Sequence, residues 1–194
     1  MKICIFGAAS AHIDNKYVEL VEMLGEKLAK RGHSLVFGCG GSGLMGASAR
    51  GVKRGGGYIH GVVPTFFREE NVEQLYLECD KITYTETMSQ RKKIMEDDAD
   101  AFIIVPGGIG TFEEFFEVLT LKQLGRHEKA IAIYNIDGYY DNLEKFMAEV
   151  AERKFITFKA YEMYRYFTSA DEILDYIENY KPDGTPWQKL KIGD

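Results

Sequence analysis

Short runs of β-branched, aromatic and other apolar residues alternate along the chain with longer stretches in which apolar positions recur every three to four residues. The short runs predict strands at Lys2–Phe6, His33–Phe37, Tyr58–Val63, Lys81–Thr85, Ala101–Val105, Ala130–Tyr134 and Met163–Phe167. The periodic stretches predict amphipathic helices at Lys16–Lys30, Leu44–Arg54, Met88–Asp97, Phe112–Leu124, Tyr139–Glu152 and Ser169–Tyr180. This alternation of the two predicts an α/β fold, a doubly wound parallel sheet with helices on both faces. Ligands in such sheets bind beyond the carboxyl ends of the strands. The turns richest in small residues, Gly7–Ser10, Gly38–Gly46 and Pro106–Thr111, all fall there, so one pocket is expected to gather them.

A chain of 194 residues suits a single domain with a core that needs no staples, here residues 1–180, followed by a loose tail, 181–194. With 24 Lys plus Arg against 30 Asp plus Glu the formal charge is −6, and no basic stripe carries interleaved aromatics, so long nucleic acid is not an expected partner. Cys4, Cys39 and Cys79 are odd in number and form no C-x-x-C; they read as small core residues in a reducing compartment. No apolar run approaches a membrane span and the first residues lack a signal-peptide pattern, so the expected location is cytoplasmic. His12, His33, His60 and His127 are scattered without ligand spacing, and no metal is expected.

The chemistry concentrates in Pro106-Gly107-Gly108-Ile109-Gly110-Thr111-Phe112-Glu113-Glu114, a glycine-rich turn between a strand and a helix. Bare backbone at a helix N-terminus attracts a phosphate. Glu114, one turn further on, has two readings: partner of Thr111 in a capping box, or a carboxylate acting on whatever carries the phosphate. The turn Gly38-Cys39-Gly40-Gly41-Ser42-Gly43 has the spacing G-x-G-x-x-G, but it follows the second strand and the third ends in Pro64 rather than an acid, so NAD is disfavoured; tight helix–sheet packing and direct ligand contact are both open for it. No P-loop occurs and no cofactor is required. In the helix Met88–Asp97, Lys92 and Lys93 have Glu96 and Asp97 one turn on, whereas Arg91 has no local carboxylate and is expected to find its partner elsewhere, or to lie solvated over apolar surface.

Met88-x-x-Arg91-Lys92 followed by Pro106-Gly107-Gly108-x-Gly110-Thr111-x-x-Glu114 resembles the paired signature of the Lonely Guy (LOG) family, nucleoside 5′-monophosphate phosphoribohydrolases that release cytokinin bases, some relatives of which carry a lysine decarboxylase label. The resemblance extends from the first strand and Ser10, through Gly40-Gly41-Ser42-Gly43-Leu44-Met45-Gly46, to Asn135-x-Asp137-Gly138-Tyr139-Tyr140. It implies a Rossmann-like domain, a homodimer with active sites near the subunit interface, Arg91 and Glu114 as the catalytic pair, and Ser10, Gly40, Gly41, Met88, Lys92, Gly107, Gly108, Ile109, Gly110, Thr111 and Thr120 along the nucleotide site. It also implies a ligand-touching acid on the loop after the third strand, where Glu69, Glu70 and Glu73 compete and Glu70 ranks first. Ser89 stands where a histidine is common, and Gly7-Ala8-Ala9-Ser10 replaces the usual Cys-Gly-Ser-Ser. No feature supports pyridoxal phosphate chemistry.

The activity this implies is hydrolysis of the N-glycosidic bond of an adenosine 5′-monophosphate, N6-substituted or not, to free base and ribose 5-phosphate. A carboxylate fixed near C1′ stabilises the positive charge that grows on the ribose and orients water. The acid that protonates the departing base has no candidate at this level. Competing readings are a housekeeping AMP or other nucleoside monophosphate nucleosidase, and a noncatalytic nucleotide-binding or sensing module.

Overall fold

The computed structural model describes residues 1–70, 72–186 and 189; the rest of the expected tail, 187, 188 and 190–194, lies outside the described residues. Among the described residues the strands are β1 (Lys2–Phe6), β2 (Ser34–Phe37), β3 (Ile59–Pro64), β4 (Lys81–Thr85), β5 (Ala101–Ile104), β6 (Ala130–Tyr134) and β7 (Arg165–Phe167). The helices are α1 (Asn15–Lys30), α2 (Gly43–Arg54), α3 (Thr65–Glu69), α4 (Met88–Asp98), α5 (Ile109–Gln123), α6 (Asp141–Glu152), α7 (Phe158–Tyr161) and α8 (Ala170–Asn179). All strands pair in parallel in the order β4-β3-β2-β1-β5-β6-β7, a Rossmann-like doubly wound sheet.

The period-2 alternation within the strands divides the core in two. Ile3 and Ile5 of β1, with Leu35 and Phe37 of β2, pack under α1, α2 and α8. Cys4 and Phe6, with Val36, Phe102 and Ile104, pack under the α4–α7 layer. Cys4 faces Val36 in one neighbouring strand and Phe102 in the other. Winding reverses between β1 and β5, so the turns that leave these strands diverge to opposite faces and open a crevice at their carboxyl ends.

Every expected strand is present; several boundaries moved by a residue or more, and two of the shifts have identifiable reasons. β7 begins at Arg165 rather than Met163, because the short α7 precedes it and the Met163 N–H closes a turn on the Ala160 carbonyl at 3.3 Å. α5 begins at Ile109, a turn earlier than Phe112, since the glycines let the backbone enter the helix at once. α3 and α7, four or five residues each, are too short to leave a periodic signature.

Candidate active site

The N-terminus of α5 stands at the head of β5. Its cap position falls on Gly108, which has no side chain to cap with, and the first helical bond is from Phe112 N–H to Gly108 O at 3.0 Å. Among the described residues no backbone acceptor takes the N–H groups of Ile109, Gly110 and Thr111, so the positive end of the helix faces outward. A Cβ on Gly108 or Gly110 would meet open space, whereas one on Gly107 would lie 2.0 Å from Thr111 Oγ1. The expected capping box is therefore absent: Thr111 is inside the helix, packed against Gly107, and Glu114 does not fold back to it. The physical reason is the early helix start, which moves the cap three residues upstream of the Thr-x-x-Glu pattern.

Freed from capping, Glu114 points inward at 8% exposure. Its Oε1 lies 3.6 Å from Arg91 Nη1. Burial raises its pKa to about 7 against the pull of Arg91, which opposes the shift. Arg91 is buried as well, its Nε donating to Val62 O at 3.2 Å and its guanidinium stacked over Phe67 at 5.7 Å. It occupies the space that Gly38 leaves empty, where a Cβ would sit 1.6 Å from Nη2. The partner that the α4 sequence lacks is thus Glu114, delivered by α5 across the head of the sheet.

The turn after β2 does different work. The N–H groups of Leu44 and Met45, which open α2, both reach the Ala8 carbonyl, at 2.8 and 3.2 Å. That helix terminus is already satisfied, so of the two readings of G-x-G-x-x-G the structure favours packing for its last glycine: Gly43 has φ +56 and a Cβ there would lie 2.6 Å from Ala8 O. Cys39, Gly40 and Gly41 instead form a short ladder with the segment after α3, through Gly41 N to Gln74 O at 2.7 Å, Tyr76 N to Cys39 O at 2.8 Å and an antiparallel Gly40–Leu75 bridge. This ladder presents Glu73 to the turn, both carboxylate oxygens 3.5 Å from the Cβ position of Gly40. Glu70, ranked first from sequence, is exposed at the end of α3, where its N–H bonds to the Phe66 carbonyl at 2.8 Å, whereas Glu73 is the acid that lies against the Gly40 turn. Only the pairing of the strap, a long-range feature, distinguishes them.

Lys92 does not use Glu96. It bridges to α5, pairing with Glu113 and with Glu117 at 2.6 Å, while Lys93 takes its expected partner Asp97 at 2.6 Å. Glu96, left behind, is buried, and desolvation together with Glu117 raises its pKa to about 7. Met88 sits at the start of α4 with Sδ 3.9 Å from Arg91 Nη1, and Ser10 Oγ accepts from His12 N–H at 3.3 Å at the exposed end of the β1 turn. Thr120 is not brought to the site: six residues beyond Glu114 on α5, it is exposed on another side of the helix.

The chain matches the family model described as possible lysine decarboxylase over residues 45–177. It is 36% identical over 183 residues to cytokinin riboside 5′-monophosphate phosphoribohydrolase LOG2 of Arabidopsis thaliana, covering 93% of this chain and 84% of that protein. It is 37% identical over 193 residues to the probable cytokinin riboside 5′-monophosphate phosphoribohydrolase LOGL5 of Oryza sativa subsp. japonica, covering 98% and 77%. Among solved structures it resembles the molybdenum cofactor carrier protein from Chlamydomonas reinhardtii, with TM-score 0.69, 19% identity and coverage of 91% and 95%, a likeness of fold. The molybdenum cofactor binding protein from Rippkaea orientalis matches equally, with TM-score 0.69, 19% identity and coverage of 91% and 94%. With the arginine and glutamate of the paired signature brought together at the head of the sheet, the chain belongs to the Lonely Guy family, whose curated members are named cytokinin riboside 5′-monophosphate phosphoribohydrolases.

Proposed function

We propose that the protein hydrolyses the N-glycosidic bond of a purine nucleoside 5′-monophosphate, of the cytokinin type named for its relatives, giving free base and ribose 5-phosphate. The observation that carries this reading is the placement of a buried carboxylate, Glu114, one turn beyond an uncapped helix N-terminus and 3.6 Å from a buried arginine. A 5′-phosphate takes the open N–H groups of the Gly107–Thr111 turn, and its binding energy is spent on holding C1′ beside Glu114. As the C1′–N bond lengthens, positive charge grows on the ribose ring. Ionised Glu114 stabilises it and accepts a proton from the attacking water. Arg91 keeps Glu114 aimed and offers its fork to sugar or phosphate oxygens.

The side chains of Thr120, Met88 and Ile109, the last 88% exposed, are open to solvent in one chain. They support a homodimer built on the α4–α5 face, in which a partner closes the mouth of the site. Among the described residues no helix is long and apolar enough to cross a membrane, and we place the protein in the cytoplasm with its nucleotide substrates.

Purified protein incubated with AMP, isopentenyladenosine monophosphate, GMP and CMP is expected to release free base from the adenine nucleotides, read by chromatography. Tight binding of a monophosphate with no base released would replace the enzyme by a nucleotide sensor.

A further inference from the structure

The reaction needs a second proton transfer, to the departing base, and Glu114 cannot supply it while it acts as a carboxylate. Glu73 meets the requirements. It is held by backbone rather than by a free loop: the residues that follow it, Gln74 to Tyr76, are tied to Cys39–Gly41 by the bonds at 2.7 and 2.8 Å. Its two oxygens lie against Gly40, two residues along the turn from Gly38, on which the Arg91 guanidinium rests, while Glu114 approaches the same guanidinium at Nη1. Glu73 and Glu114 are thus two carboxyl groups grouped about one arginine. Among the described residues the Glu73 carboxyl has no hydrogen-bond or ion-pair partner, so its donor capacity is not spent within the protein.

We propose that Glu73 is the general acid of the reaction, protonating the purine ring as it leaves. The inference rests on the proposed hydrolysis. As C1′–N9 breaks, its electron pair passes to the base and the Glu73 proton to a ring nitrogen such as N7; water bonds to C1′ and gives a proton to Glu114. One water is consumed; Glu73 is reprotonated from solvent and Glu114 gives its proton up to solvent, which restores both groups. The charged and titratable groups that face Glu73 are Arg91, which opposes the upward push of burial on its pKa, and Cys39 on the turn; the assignment itself rests on its position. Two carboxyl groups with divided roles, one acid and one base, are the general solution to glycosidic cleavage.

The test is a leaving group that needs no proton. AMP methylated at N7 already carries positive charge on its base, which departs neutral. In Glu73→Gln, turnover of AMP is expected to fall on the order of a hundredfold while turnover of 7-methyl-AMP stays within about threefold of the wild type. Glu114→Gln is expected to lose both. The kcat profile for AMP is expected to show an alkaline limb in the wild type and to lose it in Glu73→Gln. Equal loss on both substrates would make Glu73 a binding group, and no loss on either would remove it from the reaction; both results overturn the proposal. Failure of the wild type to release base from any monophosphate would instead bring down the reading of the reaction itself, which the two-substrate comparison keeps separate.

Discussion

Glu114 and Lys122 lie eight residues apart on α5 and are buried to the same degree, at 8% and 6% exposure, yet their surroundings are opposite in kind. Lys122 is fully provided for. Its ammonium donates to Lys129 O at 2.7 Å, Met163 O at 2.8 Å and Tyr180 OH at 2.9 Å, and sits 4.7 Å from the Tyr180 ring. Every proton of the group has an acceptor. Glu114 has one cation at 3.6 Å, and among the described residues no donor within hydrogen-bond distance. A buried ionisable group with complete partners ties elements together, here α5 to the strand leads and to the end of α8. One without them carries a free-energy cost when ionised, which protonation or a ligand relieves. On the proposed reading the carboxyl end of the sheet is the reactive end, and the amino end is the structural one.

The sharpest way to break this contrast is to exchange the chemistry of Glu114 for its shape. Glu114→Gln is expected to lower kcat by a hundredfold to about ten-thousandfold, as for loss of an acid–base group, with an unfolding midpoint no lower than that of the wild type. Since no capping box exists, the substitution removes no cap. Normal turnover would place Glu114 with Lys122 among structural groups. Gly38→Ala approaches the same point from the other side. Its methyl would lie 1.6 Å from Arg91 Nη2, so the guanidinium, the far end of a flexible side chain, must leave. Activity is expected to drop by at least about tenfold while circular dichroism and the melting temperature change little; unaltered kinetics would show that Arg91 need not rest where it does.

For Lys122 the expectation is reversed. Lys122→Met keeps the aliphatic stem but orphans two carbonyls and a phenol, at an expected cost of about 2 kcal/mol in denaturant unfolding. The rate per folded molecule is expected to stay at the wild-type value. A loss of kcat without a loss of stability would mean that the two ends of α5 are coupled and the division is false.

The sequence made one half of this contrast readable and hid the other. Strand and helix positions follow from periodicity, and β1, β4 and β6 have the expected bounds to the residue. The glycine turn and Glu114 are contiguous in sequence, so their juxtaposition was legible. Long-range pairing was not. Nothing near Lys122 announces that Met163 and Tyr180 will come to it, and nothing near Glu70 or Glu73 says which will be pinned to Gly40. Lys92 had a satisfactory partner at Glu96 and preferred Glu113 and Glu117 on the adjacent helix. His127, one of four histidines without a pattern, has Nε2 donating to Val118 O at 2.8 Å, and burial lowers its pKa to about 4. Local rules specify elements, whereas the choice among equivalent side chains is made by packing between elements.

The smallest expected effect, and the one that compares both groups in one experiment, is the pH dependence of stability. The Glu114 pKa is raised by burial to about 7 from an ordinary 4.5, so the folded state resists its ionisation. The cost is absent below about pH 4.5, grows as pH rises and is complete above about 7; stability should fall by an amount on the order of 1–2 kcal/mol between pH 5 and 8 on its account. Lys122 is shifted the other way, down to about 8 from 10.5, again by burial. Charging it costs the folded state at low pH, and that cost is relieved as pH rises from about 8 toward 10.5. Stability should therefore decline through neutrality and recover in alkali. Glu114→Gln should flatten the first limb and leave the second, and Lys122→Met should do the converse. A residual neutral slope in Glu114→Gln is assigned to Glu96, whose pKa is also raised to about 7 by burial, and Glu96→Gln should remove it. If Glu114→Gln keeps the full neutral slope, the buried carboxylate is solvated by water in the free protein, and the strain attributed to the reactive end of α5 does not exist.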